Sequence, residues 1–120
     1  MPNLTERDIL RLATCDARWQ MLLPKVAEKT WLMVIGGHRN EEKQTEAFRD
    51  GLTQVRWPNS KHNTEPSLAI DLAPLPLDWK NIRHFYELAA YVWAESLKND
   101  TPVIWGGSFS FGDYGHFELK

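Results

Sequence analysis

Apolar residues recur along this chain at two spacings, and the alternation between them sets out the elements. Thr5 and Asp8 form a capping-box pair ahead of Ile9, Leu10 and Leu12, which predicts a short amphipathic helix. Asp16 then caps a second helix, with Trp19, Leu22, Leu23 and Val26 at helical spacing. Pro24 falls inside it and is expected to kink or divide it. Trp31-Leu32-Met33-Val34-Ile35 is an unbroken apolar run stopped by Gly36-Gly37, so a strand covered on both faces is expected. Asn40 caps a polar helix over 41–50, closed by Gly51, and an irregular loop over 52–66 follows. Leu68, Ala69, Ile70, Leu72 and Ala73 predict a strand with one carboxylate, Asp71, in its middle. Asp78 is the expected cap of the longest helix, 79–98, whose core stripe reads Trp79, Ile82, Phe85, Ala89, Val92, Trp93 and Leu97. Val103-Ile104-Trp105 and His116-Phe117-Glu118-Leu119 are two further short strands on either side of Gly106-Gly107. Helices first, then strands interleaved with one long helix, give an α+β class: a small, largely antiparallel sheet packed against helices. No repeat or linker interrupts the pattern, so residues 1–120 are read as a single domain.

Composition narrows this picture without redirecting it. A chain of 120 residues buries roughly two thirds of its surface. A formal charge of -2 provides no basic footprint, which weighs against a nucleic-acid partner. The one cysteine, Cys15, excludes an intramolecular disulfide and a thiolate zinc cluster, and is read as a buried thiol. The first residues lack the basic and apolar regions of a signal peptide, and no apolar run approaches the ~20 residues of a membrane span. The expectation is a chain made in the cytoplasm, with no stable membrane insertion.

Candidate chemistry comes from the polar residues set into the strands. Side chains alternate faces along a strand, so Asp71 shares a face with Ala69 while Ile70 and Leu72 face the core. His116 and Glu118 likewise lie opposite Phe117 and Leu119. If the two strands are near each other, Asp71 and His116 converge, with His62 arriving from the loop. Two histidines, one carboxylate and an open position match a catalytic zinc site. The blander reading, an Asp capping a loop and two ordinary histidines, is not excluded by spacing, and no compact motif such as His-Glu-x-x-His is present to displace it. Asp113, three residues before His116, stands where a general base belongs, or else makes an Asx-turn with Gly115. Arg39 is placed to clamp a carboxylate or steady an oxyanion. Gln44 reads as a helix surface residue and His84 as structural. His38 could line a cleft, and Glu118 could orient a ligand histidine.

Taken together, these stretches resemble a known family. Gly36-Gly37-His38-Arg39 with Gln44 and Gly51 is similar to its Gly-aromatic-Arg…Gln…Gly segment. Ser60-Lys61-His62 with Ala69-Ile70-Asp71-Leu72 is similar to its Ser-x-His…Ala-x-Asp-Leu motif. Trp105-Gly106-Gly107 with Asp113-Tyr114-Gly115-His116-Phe117-Glu118-Leu119 is similar to its closing motif. The family is the zinc D-alanyl-D-alanine carboxypeptidases and L-alanyl-D-glutamate endopeptidases, here most similar to small phage endolysins, over roughly residues 30–120.

The resemblance implies a D-Ala-D-Ala peptidase/hedgehog-like fold with zinc on the sheet, held by His62, Asp71 and His116. It implies Asp113 as catalytic acid/base and Arg39 as a catalytic and substrate contact, with Ser60, Gln44 and His38 as further substrate contacts. Two departures stand out. His62 and Asp71 are two residues farther apart than in the commonest motif, with Thr64-Glu65-Pro66-Ser67 replacing a glycine turn, so a different cleft wall is expected. His38 also replaces an aromatic. The implied activity is hydrolysis of a stem-peptide bond in bacterial peptidoglycan, foremost L-alanyl-D-glutamate, after the membrane is permeabilised. A D-Ala-D-Ala carboxypeptidase or dipeptidase is the alternative within the family, and a non-catalytic zinc-stabilised wall-binding domain the alternative outside it.

Overall fold

The computed structural model describes residues 3–120; Met1 and Pro2, where the stretch read as leaderless begins, lie outside them. Four helices and four strands are found among the described residues: α1 (Glu6–Leu12), α2 (Ala17–Ala27), β1 (Leu32–Gly36), α3 (Glu41–Arg49), β2 (Ala69–Pro74), α4 (Ile82–Lys98), β3 (Val103–Trp105) and β4 (His116–Leu119). The strands form one antiparallel sheet in the order β1-β2-β4-β3. The class is therefore the α+β arrangement expected from the pattern.

Local chemistry starts each helix. Thr5 and Asp8 form the capping box of α1, and Asp16 caps α2. Asp8 does more than cap. Its Oδ2 accepts from Thr5 N–H at 2.9 Å, and its Oδ1 accepts from Val34 N–H at 2.9 Å, tying α1 to β1. The apolar residues expected to anchor α1 do not do so: Ile9 and Leu10 are exposed, while Asp8 and Leu12 are buried. Pro24 does not divide α2, which runs on to Ala27 with Val26 and Ala27 buried. One lost backbone bond is offset where the following turn is anchored in the core, each fully buried aliphatic side chain contributing about 1.5–3 kcal/mol.

The long helix starts later than expected. Asn81, not Asp78, caps α4, and Asp78 instead accepts from Lys80 N–H in the preceding turn. Its buried face is Phe85, Leu88, Ala89, Val92 and Ser96, whereas Trp79, Ile82, Trp93 and Leu97 are exposed. Apolar residues lie around most of this helix, so spacing alone does not select the stripe; packing against α2 and the sheet does. β1 also differs from expectation. Leu32 and Val34 are buried, Met33 and Ile35 only partly so, and Trp31 is exposed, so one face is covered more fully than the other.

Trp19, Leu22, Leu23 and Val26 from α2 meet Leu32, Val34, Ile70, Leu72, Phe117 and Leu119 from the sheet in one core. The register assigns the opposite face to polar residues. Ile70 pairs with Phe117 on the core side, and Asp71 pairs with His116 on the other. A bulge between Val34 and Gly36 brings Gly36, not Ile35, beside Asp71. Cys15 is fully buried, and burial pushes its thiol up to about 11, as suits an inert core cysteine. No helix among the described residues is long and apolar enough to cross a membrane.

Candidate metal centre and cleft

Three ligand-type atoms meet on the polar face of the sheet. His62 Nε2 lies 3.2 Å from Asp71 Oδ1 and 3.2 Å from His116 Nδ1, and His116 Nδ1 lies 3.3 Å from Asp71 Oδ1. His62 belongs to a 3-10 turn, Lys61–Asn63, which Ser60 caps through its side chain. Asp71 and His116 come from β2 and β4, directly opposite one another.

Hydrogen bonds on the far side of each ring decide what the near side offers. His62 Nδ1 lies 2.7 Å from the carbonyl of Gly37, which only accepts, so the ring proton sits on Nδ1 and Nε2 is bare. His116 Nε2 donates to Glu118 Oε1 at 2.8 Å, leaving Nδ1 bare as well. Gly37 is required for this approach, because a side chain there would strike Cys15 Sγ and the Thr14 hydroxyl. Two lone pairs and an anionic oxygen thus face one another at hydrogen-bond distance, and only a cation between them makes that arrangement favourable.

With no metal present a proton can take the cation's place on these nitrogens, and the protonation balance shows the pull of the carboxylate. Burial alone would raise Asp71, but hydrogen bonds from His116 and His62 outweigh it and hold the carboxyl well below the usual range. Burial alone would lower His116, yet the bond and charge of Asp71, with Glu118 behind, raise it above the usual imidazole value. Neutral-imidazole nitrogens beside an ionised carboxylate are a donor set suited to a divalent transition metal, and the residues fit zinc. The grouping holds three protein ligands, His62, Asp71 and His116.

Asp71 Oδ2 accepts from Arg39 Nη2 at 3.0 Å, and Arg39 Nη1 donates to Gln44 Oε1 at 3.1 Å. Gln44 is not a surface residue. It is fully buried, receives Asn63 Nδ2 as well, and donates to Val55 O at 2.6 Å, so it ties Arg39 to the loop wall. Helical spacing missed this because α3 is polar throughout, so nothing marks one polar residue as inward-facing.

A cleft of about 440 Å³ opens over the centre, between the loop at residues 51–55 and the loop at 109–113. Arg39, Ser60, His62, Asp113 and His116 line it; His38 and Gln44 do not. The backbone N–H of His38 donates to the Thr14 hydroxyl at 3.0 Å. Ser60 reaches the cleft although its hydroxyl accepts from His62 N–H. The lengthened turn after His62 contributes nothing to the wall, contrary to expectation. Ser67 N–H donates to Thr14 O and Asp16 N–H to Ser67 O, which binds the turn to the α1–α2 junction instead.

Asp113 is positioned through its backbone: its N–H donates to Gly106 O at 2.9 Å, and its carbonyl accepts from His116 N–H at 3.2 Å. Any side chain at Gly106 would collide with the Asp113 carbonyl and His116 Cβ, which explains the glycine after Trp105. Burial, then the charge of Asp71, raises the Asp113 carboxyl above its usual range. Residue spacing gave no sign of Lys61, Phe109 or the 51–55 loop as cleft walls, because each enters through a loop rather than a periodic element.

A family model described as D-alanyl-D-alanine carboxypeptidase matches residues 53–119. The crystal structure of the L-Ala D-Glu endopeptidase ChiX from Serratia marcescens has the same fold, with a TM-score of 0.84 over 98% of this chain and 89% of that one at 22% identity. No curated protein sequence gives a match.

Proposed function

Because this chain belongs to the D-alanyl-D-alanine carboxypeptidase family, and is thereby a peptidase, we propose that it is a zinc-dependent hydrolase of the peptidoglycan stem peptide, cutting an L-alanyl-D-glutamate bond. The observation that carries the reading is the meeting of His62 Nε2, Asp71 Oδ1 and His116 Nδ1 at the floor of an open cleft with Asp113 on its wall.

Held by those three atoms, a zinc ion supplies Lewis acidity, lowering the pKa of water and polarising a carbonyl. The chain's own groups do the rest. Gly37 O and Glu118 fix both imidazoles so that their bare nitrogens point inward. Asp113, as a carboxylate with raised proton affinity, takes a proton from water and returns it to the leaving amine. Arg39, steadied by Gln44 and Asp71, presents its guanidinium to the carbonyl oxygen as negative charge develops there. A structural zinc site is closed by a fourth protein ligand, and only three group here among the described residues, which argues against a purely wall-binding domain.

The family description favours a second reading, release of a terminal D-alanine. Digestion of purified peptidoglycan with zinc-loaded protein, followed by mass spectrometry of the products, separates the two. A new amino terminus on D-glutamate supports the first and free D-alanine the second; intact stem peptides throughout would sink both. The endolysin role rests on the resemblance of residues 30–120, and turbidity loss in membrane-permeabilised cells tests it.

A further inference from the structure

We propose that Lys61 is the residue that recognises a substrate carboxylate beside the scissile bond, an inference that rests on the peptidase reading above. The chemistry of both candidate bonds requires such a group. A terminal D-alanine leaves with its own carboxylate. A D-glutamate that leaves from L-alanine has two carboxyls, and at most one of them carries the chain onward. In either case the residue bearing the leaving amine presents an anion within a few bonds of the reacting carbon.

Two cations line the cleft, Arg39 and Lys61. Arg39 already has a role in the reading above: Gln44 and Asp71 Oδ2 each take one of its N–H groups, the side chain is only 24% exposed, and its remaining N–H groups are assigned to the reacting carbonyl oxygen. Lys61 is freer. Its side chain is 42% exposed, and it crosses from the His62 turn to β4, where Nζ meets Glu118 Oε2 at 3.2 Å and Leu119 O at 3.4 Å. An ammonium has three N–H groups, so two contacts leave one for a ligand. The partly exposed pair with Glu118 is itself weak, and an incoming carboxylate shares that ammonium at small cost. Glu118 does not repel the anion at full strength, because its Oε1 accepts from His116 and its Oε2 faces Lys61. Glu118 bridges Lys61 and the His116 ring, which places the ammonium beside the metal centre without making it a ligand.

The test uses zinc-loaded protein and two pairs of stem peptides. Within each pair the carboxylate next to the L-Ala–D-Glu or D-Ala–D-Ala bond is either free or a carboxamide. Wild type is expected to favour the free acid by roughly 10- to 100-fold in kcat/KM for the bond it cuts, as for a charge-assisted hydrogen bond. Lys61→Gln should lower that ratio by about tenfold or more with bound zinc unchanged, and Lys61→Arg should keep it. A merely structural role, through Glu118 and His116, would slow both members of a pair alike and leave the ratio intact. An unchanged ratio in Lys61→Gln, or a wild type that cuts acid and amide equally, overturns the proposal alone. Failure of wild type to cut any of the four peptides overturns the peptidase reading and this proposal with it.

Discussion

Asp8 and Asp71 are both carboxylates set against the sheet, and they show how differently one side chain can be used. Asp8, 1% exposed, sits where α1 meets β1, and each of its oxygens accepts from a backbone N–H that cannot move away. Its charge is matched by fixed donors, and its role ends with stability. Asp71 sits where β2 meets β4. One oxygen is matched by Arg39, while the other faces two imidazole nitrogens whose rings, when neutral, keep their one proton on the far side. Saturation with backbone donors makes an inert strut. An oxygen left facing bare nitrogens makes a site that attracts a cation.

Truncating the two acids should break the comparison in opposite ways. Asp71→Ala is expected to lose zinc and to drop hydrolysis to background while the protein still folds, with metal analysis after dialysis and circular dichroism as the checks. Retained stoichiometric zinc would remove Asp71 from the centre. Asp113→Asn should keep zinc and lower kcat by roughly 10²–10⁴-fold, because the group that moves the proton is gone and the ligands are not. Steady-state turnover equal to wild type would exclude Asp113 from proton transfer.

Asp8→Ala should cost about 2–4 kcal/mol in urea unfolding, through two orphaned N–H groups, with activity per folded molecule unchanged. A loss of zinc in that variant would erase the distinction drawn between the two acids. The smallest effect is on pH. A proton and a metal compete for His116 Nδ1, and the His116 pKa lies above its usual value, held up against burial by Asp71 and Glu118. Zinc affinity should therefore fall as pH drops through that raised value, by about tenfold per unit for one displaced proton. Chelator competition between about pH 8 and pH 6 reads this, and an affinity flat across that range would contradict it.

Much of the candidate centre is legible in the sequence. Strand alternation separates Asp71 and His116 from Ile70, Leu72, Phe117 and Leu119, because a period of two admits only one assignment once a face is apolar. The helix caps Thr5, Asp16 and Asn40 were legible for a similar reason: they act on N–H groups two or three residues away. Gln44 and Lys61 were not. A buried glutamine on a polar helix and a lysine inside a loop motif acquire their roles from Arg39, Val55 and Glu118, which are distant in sequence. The α4 stripe failed for another reason, since a helix apolar on most sides needs its neighbours to choose which side is core.

By itself, then, the sequence determined the elements, the α+β class and the identity of the polar residues set into the strands, because short-range spacing and capping govern those. Only the tertiary structure decided which nitrogen each histidine presents, that Gln44 serves Arg39 from inside, and that the long turn after His62 lies away from the cleft. Those outcomes depend on Gly37, Glu118, Val55 and Thr14, groups brought into contact by the folding of remote segments.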